Sequence, residues 1–229
     1  MRNTILGVLS LALGCAASAG NSVEGRGFEW VEVDNGGVSD ASGADLTNYR
    51  TFDLYFNIGA QGALVGGFNM GYALNPSIDD PQPFLETDGR VFNHSVGGDF
   101  EPFADFIIDF PAIEFDTFAT FGGMDTSGIP QSFDLTGDNN GELRGVWFTA
   151  GGMQLGAGER MWALRVTLTD FTYLRGMIQV GLGPGFITVP YFDVPNVPAP
   201  GAAGIFALAG LALAPRRRAC RSGFHHGAR

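Results

Sequence analysis

Across residues 51–58 apolar and polar side chains alternate without a break, with Phe52, Leu54, Phe56 and Ile58 on one face and Thr51, Asp53, Tyr55 and Asn57 on the other. A period of two is the signature of a half-buried strand, because successive side chains of an extended backbone point to opposite faces. The alternation returns at Phe68, Met70, Tyr72 and Leu74, and again at Ile113, Phe115, Thr117, Ala119 and Phe121, with Glu114 and Asp116 expected to face outward. Trp162, Leu164, Val166 and Leu168 form one face of 161–168, and Ile178, Val180 and Leu182 one face of 177–182. Shorter runs at 28–33, 90–95, 103–110, 146–149 and 186–189 have the same strand character. Clusters of Gly, Pro, Asn and Asp separate them, and 35 glycines with 20 phenylalanines favour strands joined by tight turns over helices. About ten short strands and no convincing helix predict an all-β fold, two antiparallel sheets packed as a β-sandwich, with a barrel as the alternative. No repeat of fixed period is present, which argues against a solenoid or propeller.

The two ends have a different character. Residues 1–19 carry Arg2, an apolar run over 5–17 and an Ala17-Ser18-Ala19 ending, the pattern of a secretory signal peptide cleaved between Ala19 and Gly20. A lipoprotein reading centred on Cys15 is the rival, but Ala12 stands where a large aliphatic residue is usual and the apolar run continues past the cysteine. Residues 20–194, roughly 175 in all, are enough for one folded domain and hardly for two. Pro195, Pro198 and Pro200 then mark residues 195–201 as a stiff, extended linker. An apolar stretch follows at 202–214, expected to be a short hydrophobic helix as residues 1–19 are a signal helix, and below the roughly 20 residues that span a bilayer. The tail, 215–229, opens with Pro215 and the cluster Arg216, Arg217 and Arg218, which the positive-inside rule assigns to the cytoplasmic side.

This order of motif, apolar segment and arginine cluster resembles the PEP-CTERM sorting signal of Gram-negative bacteria. The motif here is Val197, Pro198, Ala199, Pro200 and Gly201, with Ala199 in place of the usual glutamate, and it looks like the variant found in planctomycete proteins. The resemblance covers about the last 30 residues, a span set by motif reading. It implies an exosortase, a membrane cysteine transpeptidase, as partner, with transient anchoring in the inner membrane and delivery to the cell surface or an exopolysaccharide matrix. The order of the strands is also similar to cohesin-like and carbohydrate-module-like sandwiches of surface proteins.

Charge and chemistry narrow the function. All 24 carboxylates but only seven of the 13 arginines lie between Glu24 and Asp193, a net charge of −17 for that stretch, and the chain has no lysine. Such a surface repels nucleic acid and anionic lipid. Cys15 and Cys220 both fall in the terminal segments, so the domain has neither a disulfide framework nor a thiolate metal site. His94 is the domain's sole histidine and no nucleophile elbow accompanies it; Gly181, Gly183 and Gly185 enclose Pro184 and read as a turn. Carboxylate pairs such as Glu114 with Asp116 and Asp105 with Asp109 keep a glycoside hydrolase in view. The loop containing Asp134, Asp138, Asn140 and Glu142 crowds oxygen donors as a calcium site does, although its EF-hand frame fails and a solvated Asn-Gly turn competes with that reading. Tyr49, Tyr55, Trp30 and Trp147 are candidate sugar-stacking aromatics. The expectation is an exported, non-catalytic acidic sandwich with a structural or adhesive role and no cofactor, the alternatives being a carbohydrate-binding module and a secreted glycoside hydrolase.

Overall fold

The computed structural model describes residues 25–71, 84–123, 131–139, 141–183 and 190–198. In chain order the elements begin with β1 (Gly27–Val33), β2 (Tyr49–Asn57), β3 (Ala63–Met70) and β4 (Phe84–Thr87). Helix α1 (Ala104–Asp109), a 3-10 turn (Pro111–Phe115) and the two-residue β5 (Phe118–Ala119) follow. The last five strands are β6 (Gln131–Asn139), β7 (Glu142–Leu155), β8 (Arg160–Thr169), β9 (Leu174–Leu182) and β10 (Tyr191–Val194). They form an all-β antiparallel sandwich: one sheet in the order β1-β2-β8-β5, the other β10-β9-β3-β7 with β6 on the outer side of β7. The signal and anchor helices expected at the ends lie outside the described residues.

β4 shares the central position of the second sheet with β3. Met70 is opposite Gly145 and Leu85 is opposite Leu143, so β4 takes up the track of β3 between β9 and β7; residues 72–83, with Tyr72 and Leu74, lie outside the described residues. Between Val65 and Gly67 the β3–β7 register slips, with Val65 opposite Met153 and Gly67 opposite Phe148. Bulges of this kind bend a strand and sharpen its twist. At the slip the paired strands approach so closely that a Cβ on Gly67 would sit 2.5 Å from the Phe148 Cβ and 2.7 Å from the Trp147 carbonyl oxygen.

The core forms where the alternation predicts. Phe52, Leu54, Phe56 and Ile58 are buried, and across from them lie Phe68, Met70, Trp147, Ile178, Val180 and Leu182. Aromatic rings pair within each sheet, Phe28 with Phe56 at 5.2 Å between centroids and Phe68 with Trp147 at 5.2 Å, and across the interior, Phe56 with Phe192 at 5.1 Å and Phe68 with Phe121 at 5.9 Å. Edge-on and tilted pairs each add about 0.5–1.5 kcal/mol to simple area burial. Trp147, fully buried, satisfies its indole by donating to the Thr120 carbonyl at 3.0 Å.

Several sequence expectations need correction. The run 103–110 is helical over Ala104–Asp109, not extended; Phe103, Phe106, Ile107 and Phe110 fall at helical spacing. Residues 90–95 contribute a single bridge, Val91 to Leu168, and no strand. Residues 146–149 are the middle of a much longer β7, and 186–189 lie outside the described residues. From Ile113 to Phe121 only Phe118 and Ala119 are strand, because Pro111 opens a 3-10 turn and the chain then lies against the outer face of β8. Asp116 therefore points inward, 2 % exposed, rather than outward.

That packing also buries the supposedly polar face of β2. Arg165 grips Asp53 with two parallel hydrogen bonds, Nε to Oδ1 at 2.7 Å and Nη2 to Oδ2 at 2.9 Å, and reaches the Glu114 carbonyl with Nη1 at 2.7 Å. The Thr167 hydroxyl donates to the Phe115 carbonyl, which leaves it to accept from Thr51 at 2.7 Å. Trp162 belongs to this outer layer and not with Leu164: β2 passes from Leu54 opposite Leu164 to Tyr55 opposite Trp162, so Ala163 is bulged and the alternation inverts there. Trp162 stacks beside Phe118 at 5.6 Å with the Arg165 guanidinium 4.8 Å from its ring.

Candidate functional site

His94 lies in the excursion that covers β8, and its ring meets the loop after β1. Nε2 is 2.9 Å from the Ser42 Oγ and 3.0 Å from Asp40 Oδ2, with the His94 and Asp40 side chains both buried. Serine, histidine and aspartate in contact invite comparison with a hydrolytic triad, but the connectivity differs. The Val96 amide donates to Nδ1 at 3.2 Å, so the neutral ring carries its proton on Nε2 and faces Ser42 and Asp40 as a donor. The Ser42 hydroxyl donates to Asp40 Oδ1 at 2.5 Å. A triad requires the imidazole to accept the serine proton on one nitrogen while the carboxylate orients the other; here both partners crowd one nitrogen and the serine hydroxyl donates its hydrogen bond to the carboxylate. Burial raises the Asp40 carboxyl, but hydrogen bonds from the Ser42 hydroxyl and amide, from His94 and from the Ala112 amide outweigh it and hold the group below its ordinary value. The cluster ties the loop after β1 to the start of the 3-10 turn. Sequence reading found His94 and missed Ser42 and Asp40, whose only local signal is the Asp-x-Ser turn at 40–42.

The neighbouring carboxylate is the most perturbed titratable group among those described. Asp116 accepts the His94 amide at 2.7 Å and the Thr117 amide at 2.9 Å on one oxygen, and its other oxygen faces Gly97, where a Cβ would stand 1.7 Å away. Burial pushes the Asp116 carboxyl up to about 7; the two amides oppose this and the charge of Asp99 adds to it. Asp99 is itself raised, first by burial and then by Asp134. At 2 % exposure Asp116 offers substrate no approach, so an elevated pKa does not here mark an acid catalyst. Of the other paired carboxylates, Glu114, Asp105 and Asp109 are exposed.

The oxygen-rich loop is a hairpin, with Asn139 opposite Glu142 and Gly141 at φ +79° against the Thr87 carbonyl, where a Cβ would lie 2.2 Å away. Only a glycine meets both conditions. Glu142 is engaged by Arg144, whose Nε donates at 2.9 Å, and Asp134 accepts the Thr136 hydroxyl at 2.9 Å. The Asp138 side chain and Asn140 lie outside the described residues, and among the described residues no three acidic, His or Cys side chains are arranged to hold a metal. Of the candidate sugar-stacking aromatics, Trp30 and Trp147 are buried, Tyr49 packs on Phe92 at 5.6 Å, and Tyr55 lies under Arg160 at 4.1 Å. Among the described residues the exposed aromatics lie elsewhere: Phe103 and Phe106 at α1, 6.4 Å apart, and Phe171 and Tyr173 in the turn before β9.

At the far edge, β10 pairs with β9 from Tyr191 opposite Gln179 to Val194 opposite Gly176, and the chain beyond it stays on the sandwich. Trp30 donates its indole N–H to the Pro195 carbonyl at 2.6 Å, Val197 joins the core, and Arg50 Nη1 donates to the Pro198 carbonyl at 2.7 Å. The first two residues of the Val197–Gly201 motif are thus part of the folded domain; Ala199, Pro200 and Gly201, like Arg216, Arg217, Arg218, Ala17, Ala19 and Gly20, lie outside the described residues. Among the described residues no helix is long and apolar enough to cross a membrane. In comparisons with protein families, curated proteins and solved structures, the chain matches none.

Proposed function

We propose that this chain is an exported cell-surface or extracellular-matrix protein whose acidic β-sandwich is non-catalytic and whose C-terminal segment is a PEP-CTERM-like sorting anchor handled by an exosortase-type enzyme. The reading rests on the order of parts along the chain: a signal-like segment, one sandwich ending in β10, and then at once the Val197 motif, an apolar run and three arginines. The inverted connectivity of Ser42, His94 and Asp40, with the serine hydroxyl donating to the carboxylate, supports a structural role for this cluster, which resembles a catalytic one in composition alone. An adhesive or scaffolding role suits a domain of net charge −17, which stays soluble in a matrix, attracts cations and repels anionic partners while leaving neutral glycans free to approach. Protease shaving of intact native cells tests it: sandwich peptides are expected in the released fraction, and their confinement to lysed cells would refute surface delivery.

A carbohydrate-binding role is the second reading, favoured by the exposed Phe103 and Phe106 pair flanked by Glu101, Asp105 and Asp109. Aromatic faces stack on the apolar faces of sugars while carboxylates accept from hydroxyls. Glycan-array retention lost on Phe103→Ala and Phe106→Ala, with thermal unfolding unchanged, is its expected result; retention unaffected by both would remove this patch as the binding surface.

A further inference from the structure

The residues that leave β10 are held at three successive points. The Pro195 carbonyl accepts from Trp30 Nε1, the Val197 side chain is 8 % exposed among core residues, and the Pro198 carbonyl accepts from Arg50 Nη1. Arg50 is fixed before it makes that bond: its Nε donates to Glu32 Oε1 at 2.9 Å and its guanidinium lies 4.8 Å from the Phe52 ring centroid. A hydrogen bond from a charged donor that is already oriented is stronger than a neutral one. The Pro195 carbonyl, two residues before Val197, and the Pro198 carbonyl, one residue after it, are therefore both occupied, and the Val197 side chain between them is buried.

A peptidase or transpeptidase binds its substrate extended, pairs with the main chain and polarises the carbonyl it attacks. While Trp30 and Arg50 hold them, the Pro195 and Pro198 carbonyls are closed to such contacts and the buried Val197 side chain offers no handle, although Asn196 between them is exposed. We propose that the folded sandwich is a clasp on the first half of the sorting motif, so that Val197 and Pro198 become available to a processing enzyme only when Arg50 releases the Pro198 carbonyl. The proposal rests on the sorting reading above for its biological meaning and on the hydrogen bonds alone for its mechanism. It assigns Arg50 and Trp30 a positioning role: motif recognition either precedes closure of the sandwich or uses Ala199 onward.

The test uses the purified full chain in detergent and a proline-specific endopeptidase that accepts intact proteins, following cleavage of the Pro198–Ala199 bond by intact mass. In the native protein this bond is expected to be cut far more slowly than in the urea-unfolded chain, and Arg50→Ala is expected to speed native cleavage about tenfold or more, the worth of one charged hydrogen bond. Val197→Ser, which leaves β2 untouched, is expected to do the same, and near-ultraviolet circular dichroism checks that both variants keep the fold. Native cleavage at Pro198 as fast as in urea, or no acceleration by either folded variant, would overturn the clasp. No sorting enzyme takes part, so this failure is distinct from failure of the sorting reading, which would show instead as an unprocessed tail in native cells.

Discussion

Asp116→Asn is expected to make the sandwich more stable at neutral pH and to flatten its pH dependence. The native carboxyl is 2 % exposed and receives two amide hydrogen bonds on one oxygen, contacts that an asparagine carbonyl reproduces without a charge. Burial moves its pKa from 3.8 to about 7. Between those values the folded state keeps a proton that the unfolded chain has lost, so stability is highest below the unfolded value, declines as pH rises through the window and levels off above about 7. Each unit is worth about 1.4 kcal/mol, and between pH 5 and pH 8 about two units apply, giving a loss of ~3 kcal/mol in the wild type. Asp99, also raised by burial and by Asp134, acts in the same direction, whereas Asp40, held low, removes stability only as pH falls below the ordinary carboxylate range. The stability maximum is therefore expected on the acid side, near pH 4–5, below the more usual range of about 5–8. Self-repulsion of the acidic surface also weakens the fold as pH rises, but salt screens it, while the desolvation of a buried group is hardly screened. Urea unfolding at pH 5 and pH 8, in 0.1 and 1 M salt, separates the two. The wild type should retain most of its ~3 kcal/mol loss in high salt and the variant should lose far less. Wild-type stability that is flat or rising from pH 5 to pH 8, or a variant that tracks the wild type, would refute the reasoning.

Two further substitutions probe the packing. Gly67→Ala places a methyl 2.5 Å from the Phe148 Cβ at the register slip between the paired strands β3 and β7, and a loss of about 1–3 kcal/mol in urea unfolding is expected; a neutral result would mean that the slip accommodates a side chain. Asp53→Ala leaves the buried Arg165 guanidinium without its carboxylate and should cost about 3–5 kcal/mol by thermal unfolding, whereas Asp53→Ala combined with Arg165→Met should recover much of that loss.

How far the sequence foretold this arrangement depended on whether a segment has one neighbour or two. β2, β1 and β9 were legible because Phe52, Leu54 and Phe56, Phe28 and Trp30, and Ile178, Val180 and Leu182 each keep one face to one core. The face bearing Thr51 and Asp53 read as solvated, since polarity alone does not distinguish water from a partner such as Arg165 that arrives from 112 residues away. Trp162 changed faces because a bulge at Ala163 resets the period, and a bulge carries no local signal when the residue is an ordinary alanine. The 103–110 run was misread because its apolar residues fit both periods, and Pro111 was the clue that extended structure stops there. Of the candidate sites, His94 was visible as an isolated histidine, but its partners Asp40 and Ser42 come from a loop that only the fold brings near. Nor did the prolines after β10 indicate a docked segment: Pro195 and Pro198 look like a free linker until Trp30 and Arg50 are seen on their carbonyls.

The most direct test of the central claim is the intact mass of the protein isolated from the envelope of native cells. An N-terminus at Gly20 together with loss of the segment after Pro200 is the predicted result. A chain of full mass, retaining residues 1–19 and the three arginines and recovered from the cytoplasm, would contradict both export and sorting.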